Sequence, residues 1–442
     1  MNSSTPSSRR RFLKQTAAGA GFLILPSGVV TGKDSPANRL NIALIGTAGR
    51  AKAHFGTAEK ENVVALCDVD EKNLASAAKK FPGAKHYVDW RKCLEQADLD
   101  AIICSTTDHT HAHIATWALK RGLHVYCEKP LANTVGEARI ARAAYLEHDG
   151  KLATQIGTQL HAGNNFKRVR ELIREGAIGE LQEVSAWGNR RIPRDGYFPG
   201  QGEPPKNLHY DLWIGPSAFH PYNPGYFDYE AKGSNCLNWN MFWDFGSGQI
   251  GDMGSHTMDL AWNAIDAEPP TSIIAEGDPF NSDVTPVKLT SHFQIPANDW
   301  RPEIKLSWYQ GGMMPKEPIA GALRGIGHGV LFEGTDAWLV SDFGSHVIIP
   351  KSASEGDRFS RTGIKGGYSH QGEWIAACKG GPKPACNFDY SGKMIETMLL
   401  GLVAYRAGEK LEYDAAAGKV TNNGMGNDLL NKAYREGWPL VG

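Results

Sequence analysis

The segment HVYCEKPLAN, residues 124–133, places an acid and a base side by side at the end of an apolar run. The run predicts a strand of a parallel sheet, and ligands of such sheets bind at the carboxyl ends of the strands. Lys129 at this edge can therefore hold a substrate hydroxyl and stabilise the alkoxide that forms as a hydride leaves. Taken alone, the Glu128–Lys129 pair would more often be an ordinary surface ion pair.

A second acid–base combination stands much later in the chain, in GDMGSHTMDL. Asp252 and His256 are four residues apart, so on a helix they share one face and the carboxylate can orient the imidazole. A histidine suits general acid–base catalysis because its pKa lies close to ambient pH. Without further context, a structural histidine is the more common interpretation.

The segment NIALIGTAGRAKAHFG predicts a strand that enters a helix through a glycine-containing turn. Gly46, Ala48 and Ala51 occupy the three positions of the GxGxxG/A pattern, whose small residues let backbone N–H groups approach a pyrophosphate. Asp68 ends the next predicted strand, 22 residues after Gly46, near the spacing expected for a ribose-binding carboxylate. This carboxylate would repel a 2′-phosphate, which favours NAD over NADP. The alternative role for Asp68 is a helix cap, for which Asp70 is better placed.

The surrounding elements predict how these residues are positioned. Between Asn38 and about Gly157, short apolar runs alternate with helical patterns, which predicts a doubly wound parallel sheet covered on both faces. After Thr158, clustered strand patterns predict a second, α+β domain with a large, mostly antiparallel open sheet. The long Gly/Pro/aromatic stretch Pro193–Gly251 is expected to line or cover a site.

We therefore predict an α/β protein with three segments. Residues 1–35 form a signal and linker, residues 36–157 the nucleotide-binding domain, and residues 158–442 the substrate-binding and oligomerisation domain. The C-terminal helical patterns, GEWIAACKGG and GKMIETMLLGLVAYRAGEKL, are expected to pack back onto the first domain.

Charge and cysteine content exclude several classes of partner. The 47 Lys and Arg residues nearly cancel the 48 Asp and Glu residues, so no positive field favours nucleic acid or an acidic membrane surface. The seven cysteines are scattered singly, which fits neither a disulfide framework nor a zinc site. His109, His111 and His113 alternate in TTDHTHAH without partners at ligand spacing. We therefore predict no metal.

The N-terminus carries SRRRFLK, residues 8–14, followed by the weakly apolar TAAGAGFLILPSGVV. This pattern resembles a twin-arginine export signal and predicts a periplasmic protein, the alternative being a plain basic N-terminus. The apolar run is too short and glycine-rich for a stable membrane span. A signal that stayed uncleaved would tether the protein to the membrane.

The motifs together resemble the glucose–fructose oxidoreductase / inositol dehydrogenase / rhizopine catabolism (Gfo/Idh/MocA) family. The resemblance runs from about Arg39 to the C-terminus and rests on IGTAGR, CDVD, STTDHTHA, CEKPLA, GTQLH, DLWIGP, FWDFGSGQIGDMGSH and KVTNN. It implies an N-terminal Rossmann domain and an oxidoreductase that acts on a secondary hydroxyl of a sugar, sugar derivative or cyclitol. It also implies homodimers or homotetramers, and exported members with a twin-arginine signal are known in that family.

The resemblance implies that Lys129, Asp252 and His256 are catalytic, with His256 as the proton acceptor. The residues predicted to bind the cofactor are Gly46, Thr47, Ala48, Gly49, Arg50, Asp68, Ser105, Thr106, His109, Glu128 and Lys129. Those predicted to bind the substrate are Lys129, Gln159, Arg191, Trp243, Asp252 and His256. Arg191 and Trp243 come from segments in which aromatic, amide and guanidinium groups suit a carbohydrate ring, although a role in the core or an interface is equally consistent.

Three functions remain open at this point. The first is an NAD-dependent dehydrogenase. The second is glycoside cleavage through a transient keto sugar, with tightly held NAD and the same motif residues. The third is a non-catalytic NAD- or sugar-binding protein, against which the intact Lys129, Asp252 and His256 argue.

Overall fold

The apolar runs of the N-terminal half form a six-stranded sheet in the computed structural model, which describes residues 38–227 and 236–441. The strands are β1 Asn41–Ile45, β2 Asn62–Cys67, β3 Lys85–Tyr87, β4 Ala101–Cys104, β5 His124–Cys127 and β6 Thr154–Ile156. Their order is β3-β2-β1-β4-β5-β6, and all neighbours are parallel. The predicted doubly wound sheet is confirmed. Only β3 has no apolar run to mark it, because its three residues are exposed or half-buried.

The helices of this part are α1 Phe55–Ala58, α2 Glu71–Ala78, α3 Trp90–Cys93, α4 Asp108–Lys120 and α5 Val135–Leu146. Three of these five helices, α2, α3 and α5, begin at a side-chain cap. Asp70 caps α2 by accepting from the backbone N–H of Lys72, and Thr134 and Glu137 form a capping box at α5. The order of strands changes direction between β1 and β4, so their carboxyl ends border the crevice where such sheets bind ligands.

The second sheet is large and mostly antiparallel, as predicted. Its strands are β7 Leu181–Gly188, β8 Ser272–Gly277, β9 Leu289–Ile295, β10 Ile304–Gln310, β11 His328–Gly334, β12 Ala337–Ser341, β13 Ser345–Pro350, β14 Thr362–Gly363, β15 Leu411–Asp414 and β16 Lys419–Val420. Their order is β14-β13-β12-β11-β7-β10-β9-β8-β15-β16. Among the described pairings of this sheet, β7 with β10 is parallel and the rest are antiparallel.

The remaining helices are α6 Asn164–Arg174, α7 Tyr210–Ile214, α8 Cys236–Trp239, α9 Ser255–Ala264, α10 His370–Cys378, α11 Phe388–Ala407 and α12 Gly424–Asp428. A π-helical turn, Ile250–Gly254, precedes α9. The long helix α11 packs against α5 on one side and against β8 and β9 on another, so it joins the two sheets. Within the described residues, no helix is long and apolar enough to cross a membrane.

The long stretch between residues 193 and 251 has little regular structure where it is described. Its aromatic side chains pack into a separate buried cluster that includes Tyr210, Trp213, Tyr226, Phe242 and Phe245. Since buried aromatic rings contribute large apolar areas, this cluster stabilises a segment that has few backbone ladders of its own. The segment can therefore serve as a wall for the neighbouring cleft.

Candidate active site

A cleft of about 690 Å³ lies at the carboxyl ends of the first sheet. One end is bordered by the glycine turn after β1 and by Asp68, and the other by Lys129 and His256. Aromatic residues of the irregular stretch, among them Trp213, form part of the wall. The volume is in the range of cofactor and small-molecule sites.

The turn after β1 is shaped by backbone geometry. Gly46 has φ +82°, and a Cβ atom there would lie 2.5 Å from the carbonyl oxygen of Ser105, so only glycine fits. The backbone N–H and the hydroxyl of Thr47 both donate to Asp68 Oδ2 at 2.8 Å. The N–H of Asp70 donates to Asp68 Oδ1 at 2.9 Å. Burial raises the pKa of Asp68 above its ordinary value, although these donors oppose the shift. The three hydrogen bonds hold the carboxylate at the turn.

Two cations share one carboxylate at the other end of the cleft. Lys129 Nζ forms a short ion pair with Asp252 Oδ1, and Arg190 Nη1 donates to Asp252 Oδ2 at 2.8 Å. Burial alone would raise the pKa of Asp252, but the charges of Lys129 and Arg190 hold it below its ordinary value. Conversely, burial opposes the charge on Lys129 but Asp252 raises its pKa, so the lysine stays protonated.

The imidazole of His256 lies on α9 beside this group and is only 7% exposed. Burial, followed by the charge of Lys129, lowers the pKa of His256 to about 3, so the ring is neutral at physiological pH. Asp252 does not hydrogen-bond His256, contrary to the expectation from their spacing. Both Asp252 oxygens are held by Lys129 and Arg190, and the π-helical turn changes the register that a regular helix would give.

Glu128 faces away from its neighbour Lys129. Its carboxylate hydrogen-bonds with His54 Nε2 at 2.9 Å and accepts from Arg50 Nε at 3.0 Å. Burial would raise the pKa of Glu128, but His54 and Arg50 lower it to about 2. The carboxylate also fills the space beside Gly157, where a Cβ atom would lie 2.3 Å from Glu128 Oε2. Glu128 therefore links the segment after the glycine turn to the end of β5. Lys129 instead pairs with Asp252 in the cleft.

Comparison with known proteins finds family models that match segments from both ends of the cleft. Residues 40–155 match the family model described as "Oxidoreductase family, NAD-binding Rossmann fold". Residues 196–289 match the model of the same family's C-terminal alpha/beta domain. Both models belong to the Gfo/Idh/MocA oxidoreductase family, and together they match slightly less than half of the chain. These matches support the resemblance predicted from the motifs over the matched segments.

Two of the similar curated proteins are named dehydrogenases. Inositol 2-dehydrogenase of Salmonella paratyphi B is 31% identical over 120 residues, which cover 27% of this chain and 35% of the relative. Levoglucosan dehydrogenase of Pseudarthrobacter phenanthrenivorans is 25% identical over 234 residues, which cover 50% of each chain. The matches thus span between a third and half of the length of these two relatives.

Solved structures share the fold over most of the chain. The WlbA dehydrogenase from Bordetella pertussis, in complex with NADH and UDP-GlcNAcA, superposes with a TM-score of 0.58 at 16% identity and covers 85% of this chain and 99% of its own. An oxidoreductase domain protein from Kribbella flavida has a TM-score of 0.59 at 19% identity over the same shares. These similarities show the fold alone.

Most of the side chains and turn residues predicted for the Gfo/Idh/MocA site line the cleft. They are Gly46, Thr47, Ala48, Gly49, Arg50, Asp68, Ser105, Thr106, Glu128, Lys129, Gln159, Asp252 and His256. Residues from the two ends of this set are far apart in sequence, and the structure brings them into one continuous space.

Three predicted binding residues do not line the cleft. His109 is buried, bonds through Nε2 to the carbonyl of Trp213 at 2.9 Å and packs on the rings of Trp213 and Phe245. Trp243 turns its indole N–H to the carbonyl of Asn281. Arg191 is exposed. For His109 and Trp243 the reason is packing, because each imidazole or indole N–H is satisfied by a backbone carbonyl inside the fold.

Three residues that were not predicted as binding residues also line the cleft. Arg190 lines the cleft instead of its neighbour Arg191, and Asn240 and Asp108 line it as well. Arg190 and Asn240 lie in the segments WGNRRIPR and NWNMFWDFG, whose composition already suggested a sugar site, but composition does not tell which member faces inward. Burial raises the pKa of Asp108 to about 7, against the opposing charges of His111 and Lys129.

The other face of α9 carries a sealed polar cluster. Asp259 accepts from the hydroxyl of Tyr390 at 2.5 Å and lies 3.0 Å from Nδ1 of His161. Burial lowers the pKa of His161, but Asp259 outweighs this and holds it well above the ordinary value. Cys386 lies beside them, with ligand atoms of the three residues within 4.8 Å of one another. Since none of these residues lines the cleft, they fix α9 rather than contact a ligand there.

Proposed function

We propose that the protein is an NAD-dependent oxidoreductase that transfers a hydride between a secondary hydroxyl of a sugar, sugar derivative or cyclitol and the nicotinamide. The observation that carries the proposal is a protonated lysine and a neutral histidine at one end of a cleft whose other end is a dinucleotide-type turn. A neutral base and a fixed cation are what the oxidation of an alcohol requires.

The residues present fit a dinucleotide. Gly46 leaves the turn open for close approach, and the Asp68 carboxylate lies where ribose hydroxyls would donate. When bound, the nicotinamide would supply the hydride acceptor. Because Asp68 repels a 2′-phosphate, we propose NAD rather than NADP.

The remaining chemistry falls to the chain's own side chains. The His256 imidazole is neutral and can accept the proton of the substrate hydroxyl. Lys129 is charged and can donate a hydrogen bond to the same oxygen, stabilising negative charge as the C–H bond breaks. Asp252 binds Lys129 and Arg190 and so fixes both cations.

Unpartnered polar atoms support a polyhydroxylated substrate. Gln159 Oε1 and both amide atoms of Asn240 are buried without a hydrogen-bond partner among the described residues, although both residues line the cleft. Leaving a buried polar group unpaired costs roughly 1–3 kcal/mol. Hydroxyl groups of a sugar or cyclitol can satisfy these atoms in the complex.

The test is incubation of the purified protein with NAD⁺ and a panel of sugars, sugar acids, cyclitols and glycosides. We expect NADH absorbance together with a product that mass spectrometry finds two hydrogens lighter than the substrate. Cleavage of a glycoside without net NADH would favour the oxidation–elimination route instead. Binding of NAD without turnover of any panel member would favour the non-catalytic alternative.

We further propose export by the twin-arginine route, based on SRRRFLK, which lies outside the described residues. This route carries folded proteins, which suits an enzyme that acquires its dinucleotide in the cytoplasm. Replacing Arg9 and Arg10 with lysine should retain the protein in the cytoplasm. Unchanged recovery of that variant in the periplasmic fraction would refute the assignment.

A further inference from the structure

Two consecutive arginines follow β7, and the structure gives them different surroundings. Arg190 lines the cleft and donates through Nη1 to Asp252 Oδ2 at 2.8 Å, and its side chain is 39% exposed. Arg191 is exposed and does not line the cleft. Only Arg190 is therefore placed to meet a substrate.

Among the described residues, the charges at this end of the cleft do not balance. Lys129 and Arg190 carry two positive charges, and each pairs with a different oxygen of the single carboxylate of Asp252. His256 adds no charge because its pKa is lowered to about 3. Glu128 adds none toward the substrate because its carboxylate pairs with Arg50 and His54.

Asp108 is a further acid among the described residues of this wall, and it compensates only in part. Burial raises its pKa to about 7, so a substantial fraction is protonated at neutral pH. A surplus of positive charge therefore remains beside His256. Lys129 alone can stabilise an alkoxide, so Arg190 is available to bind a substrate group other than the reacting hydroxyl.

Arg190 also has donors to spare. Asp252 is its hydrogen-bond partner within the described residues, and that bond uses Nη1. The Nε and Nη2 groups of a guanidinium form a planar pair that matches the two oxygens of a carboxylate. The fixed Nη1 bond holds this pair in place before a ligand arrives, which lowers the cost of ordering it.

We propose that Arg190 binds a carboxylate of the substrate, so that the enzyme prefers a sugar acid to the neutral sugar. The inference rests on the proposed oxidoreductase function, whose site it refines. A carboxylate next to the oxidised carbon would be held by Arg190 while Lys129 and His256 act on the hydroxyl.

The experiment compares kcat/KM of the intact protein for three matched substrates with NAD⁺: uronic or aldonic acids, the corresponding neutral sugars, and sugar phosphates. The wild type should prefer the acid by roughly 10- to 100-fold, the usual worth of charged hydrogen bonds. Preference for the neutral sugar, or for the phosphate, would overturn the carboxylate assignment.

Variants locate the effect. Arg190→Met should reduce the acid-to-neutral ratio to near one, and Arg190→Lys should keep part of it, because the charge remains but the planar pair is lost. Arg191→Met is the matched control and should keep the wild-type ratio. The ratio cancels any general loss of turnover, and calorimetric NAD affinity checks that each variant is folded.

A wild-type acid preference that Arg190→Met leaves intact would overturn the role of Arg190. If the wild type oxidises neither these substrates nor any other sugar, sugar acid, cyclitol or glycoside tested with NAD⁺, the proposed function itself fails. Oxidation without an acid preference leaves that function standing and removes only the further inference.

Discussion

The two ends of the cleft are built in different ways. The nucleotide end consists of a glycine turn and Asp68, within one β-strand–helix–β-strand unit, and three donors from Thr47 and Asp70 already satisfy the carboxylate. The other end is assembled from side chains on separate segments, including Lys129, Arg190 and His256, and retains unpartnered polar atoms. A satisfied, local cradle suits an invariant cofactor, whereas an unsatisfied, composite wall leaves room for substrate specificity.

Removing the imidazole of His256 should have the largest effect. His256→Ala should lower turnover roughly 10²- to 10⁴-fold, the usual worth of general acid–base catalysis, with NAD affinity nearly unchanged because the nucleotide end stays intact. Steady-state kinetics and calorimetry measure the two quantities. His86→Ala, an exposed position on β3, is the control. Near-full activity of His256→Ala, or loss of its fold, would return His256 to a structural role.

The Asp252 carboxylate should contribute to stability as well as to catalysis. Asp252→Ala leaves Lys129 and Arg190 unpaired, and breaking a buried ion pair costs roughly 3–5 kcal/mol, less here because Arg190 retains contact with solvent. Urea unfolding measures the loss. The matched control is Asp211→Ala at the more exposed pair with Arg435, which should change the free energy of unfolding by less than about 1 kcal/mol. Equal losses of unfolding free energy in the two variants would show that the buried ion pairs of Asp252 stabilise the fold no more than an exposed pair does.

The contrast between the two ends also explains which residues of the site can be located from the sequence alone. The turn after β1 and Asp68 are close in the chain and lie at the ends of adjacent strands, so motif and spacing suffice to locate them. Lys129 can be located for the same reason, because it lies two residues after a strand that its apolar run predicts. Most strands of the two sheets follow from apolar runs that packing requires. The short strands β3, β14, β15 and β16 lack a clear run of this kind.

The composite end is less predictable because it depends on packing between distant segments. Spacing predicted a bond between Asp252 and His256, but the π-helical turn before α9 and the two cations redirect the carboxylate. Composition identified the arginine pair after β7, yet which of Arg190 and Arg191 faces the cleft is decided by tertiary structure. His109 was misplaced because an aromatic cluster contributed by a distant loop surrounds it.

Changing the charge of Asp68 should alter cofactor choice at the nucleotide end. Asp68→Asn keeps an oxygen to accept from Thr47 but removes the repulsion of a 2′-phosphate, so the preference for NAD over NADP should fall by about tenfold or more, or about 1.4 kcal/mol. Calorimetric titration with both cofactors measures the preference. Comparable affinities of the wild type for NAD and NADP would show that Asp68 does not select the cofactor.

A substitution of Asp108 should have the smallest effect of the four. Asp108 lines the cleft near Lys129, at the end that is assembled from separate segments. Burial raises its pKa to about 7, with His111 and Lys129 opposing and Asp252 and Glu128 reinforcing the shift. An acid with a raised pKa stabilises the fold while protonated, and this contribution declines as pH rises from about 4, the ordinary aspartate value, through about 7.

Asp108→Asn removes that titration without changing the shape of the side chain. The variant should therefore gain stability relative to the wild type as pH rises, by about 1 kcal/mol between pH 6 and pH 8, with little further change above it. Parallel urea titrations at each pH measure the difference, with Asp98→Asn on the exposed surface as control. If the difference instead rises only below pH 6 and is constant above it, Asp108 is already ionised at neutral pH, and its charge would then cancel the positive surplus beside His256 in the free protein.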